Sequence, residues 1–310
     1  MQKLRGIIFL IAAATFFGMM PIWAKLAYAT GLTTFDVTFL RSGMAAVMLG
    51  IFILYRKIDF HVERQQIGPM LLASTLGYTG TMLTLYLSYT YISAGVATSL
   101  HYLFPVLVMM LEYFIYREKL QFYKWMALLT SLAGIFLIAD PGGSSFSLRG
   151  VGLAIISALF FVIYVLLIDH PQLKKMDSLV LAFYGCLIAS ITSLVLLVAQ
   201  GNWPLPFTIK GLYYTGLLSF FCTALGQVFF IKGVQSIGPA NASILSTLEP
   251  VVSLVAGIHF LYEPVTWYTS LGCTLIIAAV ILIGYSDLGG DTPVGERTKS
   301  NFNKESKLQG

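Results

Sequence analysis

The residue with the clearest chemical potential is Glu249, which lies in the middle of a long apolar run and directly before Pro250. An ionised carboxylate at that depth in a membrane is costly, so the side chain must face protein or water, or be protonated. Such a group can exchange protons or bind the ammonium group of a substrate. The alternative is a structural carboxyl that hydrogen-bonds a neighbouring helix beside the Pro250 kink.

An internal repeat gives Pro250 a partner. The segment Ile92–Ile138 recurs without a gap as Ile237–Ile283, so that Pro105 corresponds to Pro250. Each proline removes a helical hydrogen bond and frees a carbonyl one turn earlier. Helices interrupted at corresponding places in two halves of a membrane protein point to its binding site.

His101 lies one turn before Pro105, with Tyr102 beside it, and Ser246 occupies the position corresponding to His101. The three side chains are predicted to line a cavity. For His101 the alternative is a hydrogen-bonded structural histidine. Glu249 corresponds to Phe104, so the two halves of the cavity differ chemically.

Other polar residues follow helical spacing in two further apolar runs and are predicted to line the same wet cavity. They could instead mediate close packing between helices. The predicted cavity residues, beyond those already named, are Thr75, Tyr78, Thr79, Tyr86, Thr98, Tyr164, Thr223 and Gln227.

Arg41 is a candidate for binding an anionic group, because it is a charged residue about two turns into an apolar run. Its guanidinium can bind a substrate carboxylate with two hydrogen bonds, pair with an acid across the bundle, or extend towards the headgroups. Glu118 and Glu263 lie at the ends of corresponding runs and are predicted to close turns as structural carboxylates.

These residues require elements that cross a bilayer. The chain has 310 residues, of which 57% are hydrophobic and only 11% charged, and a soluble domain of this size needs more polar surface. Spans of about 20 apolar residues are expected. We predict ten: Gly6–Ala27, Thr34–Tyr55, Gly68–Ser88, Ala94–Tyr116, Phe122–Ala139, Gly150–Asp169, Ser178–Ala199, Gly211–Ile231, Pro239–Leu261 and Thr266–Tyr285.

The predicted fold is therefore an all-α integral membrane bundle of two inverted five-helix repeats. Five spans is an odd number, so the second copy enters the membrane from the opposite side. The first repeat covers residues 1–140, the second 141–286, and residues 287–310 form a polar tail predicted to be disordered. Lys and Arg residues number fifteen in the predicted inner segments and two in the outer loops, which places both termini in the cytoplasm.

Several classes of chemistry have no motif here. The sequence has no Gly-rich phosphate loop, and its four histidines are scattered, so neither ATP use, a metal site nor a cofactor is predicted. The basic residues lie in short loops and at the ends, which does not favour nucleic acid as a partner. The expected partners are a small-molecule substrate and the lipid bilayer, and a homo-oligomer is compatible with the sequence.

The doubled pattern resembles the EamA family of the drug/metabolite transporter superfamily. It reads Pro105-Val106…Glu118-Lys119-Leu120 in the first half and Leu248-Glu249-Pro250-Val251…Glu263-Pro264-Val265 in the second. The resemblance covers about 280 residues and implies a 5+5 inverted-repeat bundle and secondary transport, often export of amino acids or similar small metabolites.

We therefore expect an inner-membrane secondary transporter, not an enzyme, that works by alternating access and is coupled to protons through Glu249. Alternatives within transport are a passive facilitator and a drug or nucleotide-sugar type of transporter. An alternative of another class is an integral-membrane enzyme that acts on a lipid-linked substrate with Glu249 and His101 as acid and base.

Overall fold

The computed structural model describes residues 2–88, 91–92, 94–116, 122–138, 147–201, 208–261 and 267–289, and this part of the chain is helical with short turns. The α-helices are α1 (Gln2–Gly18), α2 (Met20–Tyr28), α3 (Thr34–Tyr55), α4 (Arg64–Leu72), α5 (Thr81–Ser88), α6 (Ala94–His101), α7 (Phe104–Tyr116), α8 (Phe122–Ile138), α9 (Leu148–Asp169), α10 (Pro171–Lys174), α11 (Ser178–Ala199), α12 (Ile209–Leu217), α13 (Gly226–Ile237), α14 (Pro239–Ser246), α15 (Leu248–Leu261) and α16 (Trp267–Gly289). Two further segments, Ala73–Gly80 and Leu218–Leu225, are π-helical.

Six of these helical stretches are long and apolar enough to cross a membrane. They are Lys3–Tyr28, Thr34–Tyr55, Leu148–Asp169, Ser178–Ala199, Ile209–Ile237 and Pro239–Phe260. Two shorter apolar stretches occur in α8 and α16. The all-helical membrane fold is thus confirmed, and the count of ten spans stays a prediction.

Side-chain caps fix where several of the long helices begin. Thr33 and Asp36 form a reciprocal capping box at the start of α3, in which the Asp36 carboxylate accepts from the Thr33 amide at 2.7 Å. Ser147 and Asp177 cap α9 and α11 through their side-chain oxygens. These residues bind amides that have no helical partner, so the helices start at defined positions.

Three of the apolar stretches are interrupted near their middle, at Met19, between α6 and α7, and at Thr247. A proline follows each interruption within three residues: Pro21, Pro105 and Pro250. Because proline lacks an amide hydrogen and its ring clashes with the carbonyl four residues earlier, a continuous helix cannot form there. The interruptions expose backbone groups in the interior of the bundle.

The π-helical segments have the same length, and their first residues, Ala73 and Leu218, are 145 residues apart, which is the offset of the sequence repeat. π-Helical geometry is rare and occurs frequently at functional sites. The predicted third and eighth spans therefore share one backbone irregularity at corresponding positions.

Packing also repeats between the two halves. Helix α1 packs on α13 and the second π-helical segment, and α9 packs on α5 and the first π-helical segment. Helix α1 also crosses α14 and α15, and α9 crosses α6 and α7. The pairs α3–α11 and α8–α16 each join one predicted half to the other.

Candidate functional site

Glu249 is half-buried and lies among four helical elements of the bundle. It is the second residue of α15, and its carboxyl has a hydrogen-bonding interaction with the Tyr102 hydroxyl, which lies between α6 and α7. A Cβ atom added to Gly18 of α1 would lie 2.8 Å from the Glu249 carbonyl oxygen. The carboxyl also lies within electrostatic range of Cys222, in the second π-helical segment. Four interrupted or irregular helices therefore meet around Glu249.

The break in the first apolar stretch is stabilised by α15. The amide of Ile22 bonds to the Met19 carbonyl instead of the Gly18 carbonyl, and the Ser253 hydroxyl donates to the freed Gly18 oxygen at 2.8 Å. A carbonyl left without a helical partner is thus satisfied by the neighbouring helix. This bond holds α1 against the helix that carries Glu249.

Arg41 lies on α3 and is only 2% exposed. Its Nη1 donates to the Met20 sulfur at 2.9 Å and its Nη2 donates to the Tyr78 hydroxyl at 3.2 Å. Its Nε is buried and has no hydrogen-bond partner among the described residues. The burial excludes extension of the guanidinium towards lipid headgroups in this conformation.

A buried polar network extends from Arg41 to the other half of the bundle. Gln227, the second residue of α13, interacts with Tyr78 and accepts a hydrogen bond from the Tyr164 hydroxyl at 2.9 Å. The rings of Tyr78 and Tyr164 lie 5.7 Å apart. The network joins α3, the first π-helical segment, α9 and α13, so it can transmit a displacement at Arg41 to both halves.

Aromatic rings fill the space between Tyr102 and Tyr164. Phe161 of α9 contacts Phe104, with ring centroids 4.6 Å apart, and also Tyr164 at 5.9 Å. Phe104 contacts Tyr102 at 5.8 Å, and Phe230 stacks on Tyr164 at 6.1 Å. A continuous aromatic wall therefore runs from the neighbour of Glu249 to the tyrosine pair beside Arg41.

His101 lies against this wall and contacts α9 through Ser157. The Ser157 oxygen lies 2.6 Å from the Ala154 carbonyl oxygen and 3.0 Å from His101 Nδ1. The direction of the Ser157–His101 hydrogen bond depends on which tautomer the ring adopts. His101 is thus anchored to α9, as expected for a structural histidine, with one ring nitrogen left for further bonding.

The structure does not bring every predicted cavity residue to this region. Thr75 lies on an exposed face, and its hydroxyl bonds to the Leu71 carbonyl, whereas Ser74 beside it is buried. The buried hydroxyls of Thr79 and Thr223 bond to carbonyls five residues earlier in the two π-helical segments. The predicted stripe assumes 3.6 residues per turn, and the wider π-helical turn changes which side chains face inward.

The remaining predicted residues occupy mixed environments. Ser246 is buried and bonds to the Ala242 carbonyl. Thr98 and Tyr86 are half-buried, and Tyr86 lies within electrostatic range of Arg41. Glu118 and Glu263 lie outside the described residues. Among the described residues, no cluster of three or more His, Cys, Asp or Glu side chains is placed to hold a metal ion.

Three participants were missed by the sequence reasoning: Met20, which contacts Arg41; Gly18, which lets α1 approach Glu249; and Ser157, which orients His101. Pro21 was the available signal for the first two, since a proline marks an interruption in the first apolar stretch. Ser157 carries no distinguishing pattern in an otherwise apolar helix.

These features define a polytopic helical membrane protein with an internally repeated, interrupted-helix core and ionisable groups in its interior. The chain matches the EamA-like transporter family over residues 4–139 and again over residues 148–285, and it belongs to that family. The resemblance inferred from the doubled Pro-Val…Glu pattern is confirmed.

Proteins with similar sequences are named as solute carriers or transporters. The chain is 27% identical to human solute carrier family 35 member G1 over 73% of this chain and 65% of the human protein. It is 24% identical to an uncharacterized transporter of Archaeoglobus fulgidus over 89% of this chain and 97% of the relative. It is 30% identical to the uncharacterized inner membrane transporter YicL of Salmonella typhimurium over 71% of this chain and 74% of the relative.

A solved crystal structure shares the fold. It superimposes with a TM-score of 0.78 at 16% sequence identity and covers 90% of this chain and 96% of its own. At that identity the likeness concerns the arrangement of helices and leaves the chemistry of the interior to the residues of this chain.

Proposed function

We propose that this protein is a secondary transporter of the inner membrane that exports amino acids or similar small metabolites, with Glu249 as the group that binds the substrate ammonium and exchanges it for a proton. Membership of a transporter family supports transport. The substrate class and the coupling rest on the interior of the molecule.

The observation that carries the proposal is an acid without a cationic partner in the centre of the bundle. Among the described residues, no Lys, Arg or His side chain forms an ion pair with Glu249. Burying an isolated carboxylate costs several kcal/mol, so such a group is retained where function needs it. A substrate ammonium supplies the missing positive charge, and a proton neutralises the group when the substrate is absent.

Coupling follows from this competition. A carboxyl that holds either a proton or an ammonium group cannot hold both, so each substrate molecule that is exported is exchanged for one proton that moves inward. The energy for export then comes from the proton gradient. No redox or phosphoryl chemistry is required, and the protein acts as a transporter, not as an enzyme.

Alternating access needs two halves that can move against each other. We propose that the ten predicted spans form two oppositely threaded five-helix units, residues 1–140 and 141–286. The equivalent packing of α1 on α13 and of α9 on α5 supports a twofold relation. The matching interruptions before Pro105 and Pro250 supply the places where the helices bend.

The charge distribution of the sequence supports cytoplasmic N- and C-termini in this arrangement. The cytoplasmic ends of helices from the two proposed units are then joined near α10. Gln66 donates to the Gln172 carbonyl at 3.1 Å, and the Tyr184 hydroxyl donates to the Phe60 carbonyl at 3.2 Å. These bonds link the two proposed units and must break or slide when the cytoplasmic side opens.

The test is a flux measurement with the purified full-length protein in proteoliposomes. Vesicles loaded with an equimolar mixture of the twenty standard amino acids are placed in a pH gradient, and released amino acids are identified by mass spectrometry. We expect gradient-dependent release by the wild type and loss of the gradient dependence in Glu249→Gln. Asp59→Asn, which removes an exposed carboxylate, is the matched control.

Equal release and equal gradient dependence in Glu249→Gln and Asp59→Asn would exclude Glu249 from the mechanism. Wild-type release that ignores the pH gradient would identify a passive facilitator. The absence of release for all twenty amino acids would refute the proposed substrate class.

A further inference from the structure

We infer that Arg41 is a binding subsite for a carboxylate, so that the substrate is a zwitterion held between Arg41 and Glu249. The inference rests on the proposed function, because it assigns the second charge of the molecule whose ammonium group binds Glu249. It excludes simple amines and simple carboxylic acids as good substrates.

The first argument is the environment of the guanidinium. The ionisable side chains that interact electrostatically with Arg41 are three tyrosines and two cysteines, namely Tyr28, Tyr78, Tyr86, Cys186 and Cys222. No carboxylate among the described residues forms an ion pair with it. Among the described residues, a permanently charged group is therefore buried without an ion-pair partner, which a structural arginine avoids.

The carboxylate nearest in sequence does not fill this role. Asp36 precedes Arg41 by five residues on α3, which places the two side chains about 140° apart around the helix axis. Asp36 is engaged in the capping box at the start of α3 through its Oδ2 atom. The acid-pairing alternative for Arg41 thus has no candidate on its own helix.

The second argument is the geometry of the donors. A carboxylate binds an arginine best through two parallel N–H groups, either those of Nη1 and Nη2 or those of Nε and Nη2. In Arg41, Nη1 is occupied only by the Met20 thioether, a weak acceptor, and Nε has no hydrogen-bond partner among the described residues. Tyr78 holds Nη2 and fixes the plane of the group. The guanidinium is oriented for a ligand, with Met20 in the place that one carboxylate oxygen would take.

The third argument is proximity to Glu249. The break in the first apolar stretch touches both charged residues: Gly18 lies against the Glu249 backbone, and Met20 contacts Arg41. Gly18 and Met20 are two residues apart, so the distance between their Cα atoms is at most about 7 Å even in a fully extended chain. Cys222 lies within electrostatic range of both the guanidinium and the carboxyl. The two charges thus flank one region, and no direct ion pair between them is present among the described contacts.

The arrangement explains why the two groups do not neutralise each other. A direct Arg41–Glu249 pair would leave no charge for a ligand. Separated charges favour a molecule that carries an ammonium and a carboxylate on one small frame. Binding moves the Met20 thioether away from Nη1, and Met20 belongs to the helix break that Ser253 holds to α15. Carboxylate binding is therefore coupled to movement at the junction of α1, α2 and α15.

The experiment uses proteoliposomes containing the purified full-length protein and two probe mixtures. The first contains the standard amino acids other than Asp and Glu, and the second contains the amines formed by their decarboxylation, which carry no carboxylate. The wild type is expected to release amino acids and to discriminate against the matching amines by at least tenfold. Arg41→Gln is expected to lower amino-acid release at least tenfold and to abolish the discrimination. Arg56→Gln, at the exposed end of the same helix, is the matched control.

A second pair of variants keeps Arg41 in place. Met20→Glu puts a carboxylate on the guanidinium, which should block amino acids at least tenfold and permit release of the amines. Met20→Gln has a similar shape without the charge, so the difference between the two Met20 variants isolates the effect of the added carboxylate. If Arg41 were only structural, Met20→Glu would satisfy it and leave the preference unchanged.

The inference is overturned if Arg41→Gln keeps amino-acid release within twofold of Arg56→Gln or still rejects amines. It is also overturned if Met20→Glu matches Met20→Gln, or loses amines together with amino acids. Size-exclusion profiles identify a variant that fails to fold, in which case the other pair decides. If the wild type releases no amino acid, the proposed function fails first. If it releases amino acids and the variants behave as the controls do, only the Arg41 subsite fails.

Discussion

Replacing Gly18 with alanine gives a direct physical test of the junction that positions Glu249. The new Cβ would lie 2.5 Å from the Cβ of Val252 and 2.8 Å from the Glu249 carbonyl oxygen. Non-bonded carbon atoms prefer about 3.5–4.0 Å, so α1 and α15 must separate by roughly 1 Å. That separation stretches the Ser253–Gly18 hydrogen bond beyond its usual range of about 3 Å.

Gly18→Ala is expected to lower both the stability of the protein and its rate of transport. Overpacking of this kind costs about 1–3 kcal/mol. A displacement of about 1 Å at a binding group can lower a rate by about 100-fold. Gly18→Ala should therefore lower the apparent melting temperature in detergent by several degrees and reduce amino-acid release from proteoliposomes by at least tenfold.

Gly152→Ala is the matched control, because a Cβ at that helical position has no atom within 4 Å. Alanine is a better helix former than glycine by up to about 1 kcal/mol, so this variant should keep or raise the melting temperature and retain release. The reasoning fails if Gly18→Ala and Gly152→Ala have the same melting temperature and the same release rate.

Three further predictions concern the polar contacts around the site. Gln227→Leu leaves a buried tyrosine hydroxyl without its acceptor and should cost about 1–3 kcal/mol, seen as a lower melting temperature that a second change of that tyrosine to Phe partly restores. Ser157→Ala removes the partner of His101 Nδ1 and should alter the ¹⁵N chemical shifts of that ring, whereas Ser157→Thr should preserve them. The Gln235 side-chain amide donates to the Leu173 and Met176 carbonyls at 3.2 and 3.3 Å. Gln235→Ala removes both bonds and should increase trypsin cleavage of the connection at residues 170–177, and unchanged cleavage would show that these bonds do not hold the connection in place.

Helix positions were predictable where local chemistry decides them. The predicted spans Thr34–Tyr55 and Ser178–Ala199 match α3 and α11 at both ends. Thr33 and Asp177 cap the beginnings of these helices, and the length of the mainly apolar runs gives their ends. Helices α6 and α7 lie within the fourth predicted span, Ala94–Tyr116, and are interrupted just before Pro105. This stretch is not among the six that are long and apolar enough to cross a membrane, so the span stays a prediction. Helix caps, the length of an apolar run and the positions of prolines can all be read from a single sequence.

The π-helical segments could not be read from the sequence. Their residues have the composition of ordinary membrane helices, and the departure from 3.6 residues per turn depends on packing against α1, α3 and α9. This is why Ser74, and not Thr75, is buried.

Contacts between distant helices were equally hidden. Arg41 and Met20 are 21 residues apart and lie on different helices, so their contact follows from the fold alone. The sequence shows Glu249 and Arg41 as ionisable residues in apolar runs, but it does not show whether they form an ion pair. The structure places them on two sides of one region without a direct ion pair among the described contacts.

The most direct test of the account is proton release on substrate binding. The purified protein in weakly buffered detergent solution, with a pH indicator, is mixed with a zwitterionic amino acid that it transports. Exchange at Glu249 predicts release of about one proton per bound molecule by the wild type and none by Glu249→Gln. Binding without proton release by the wild type, or equal release by Glu249→Gln, would contradict it.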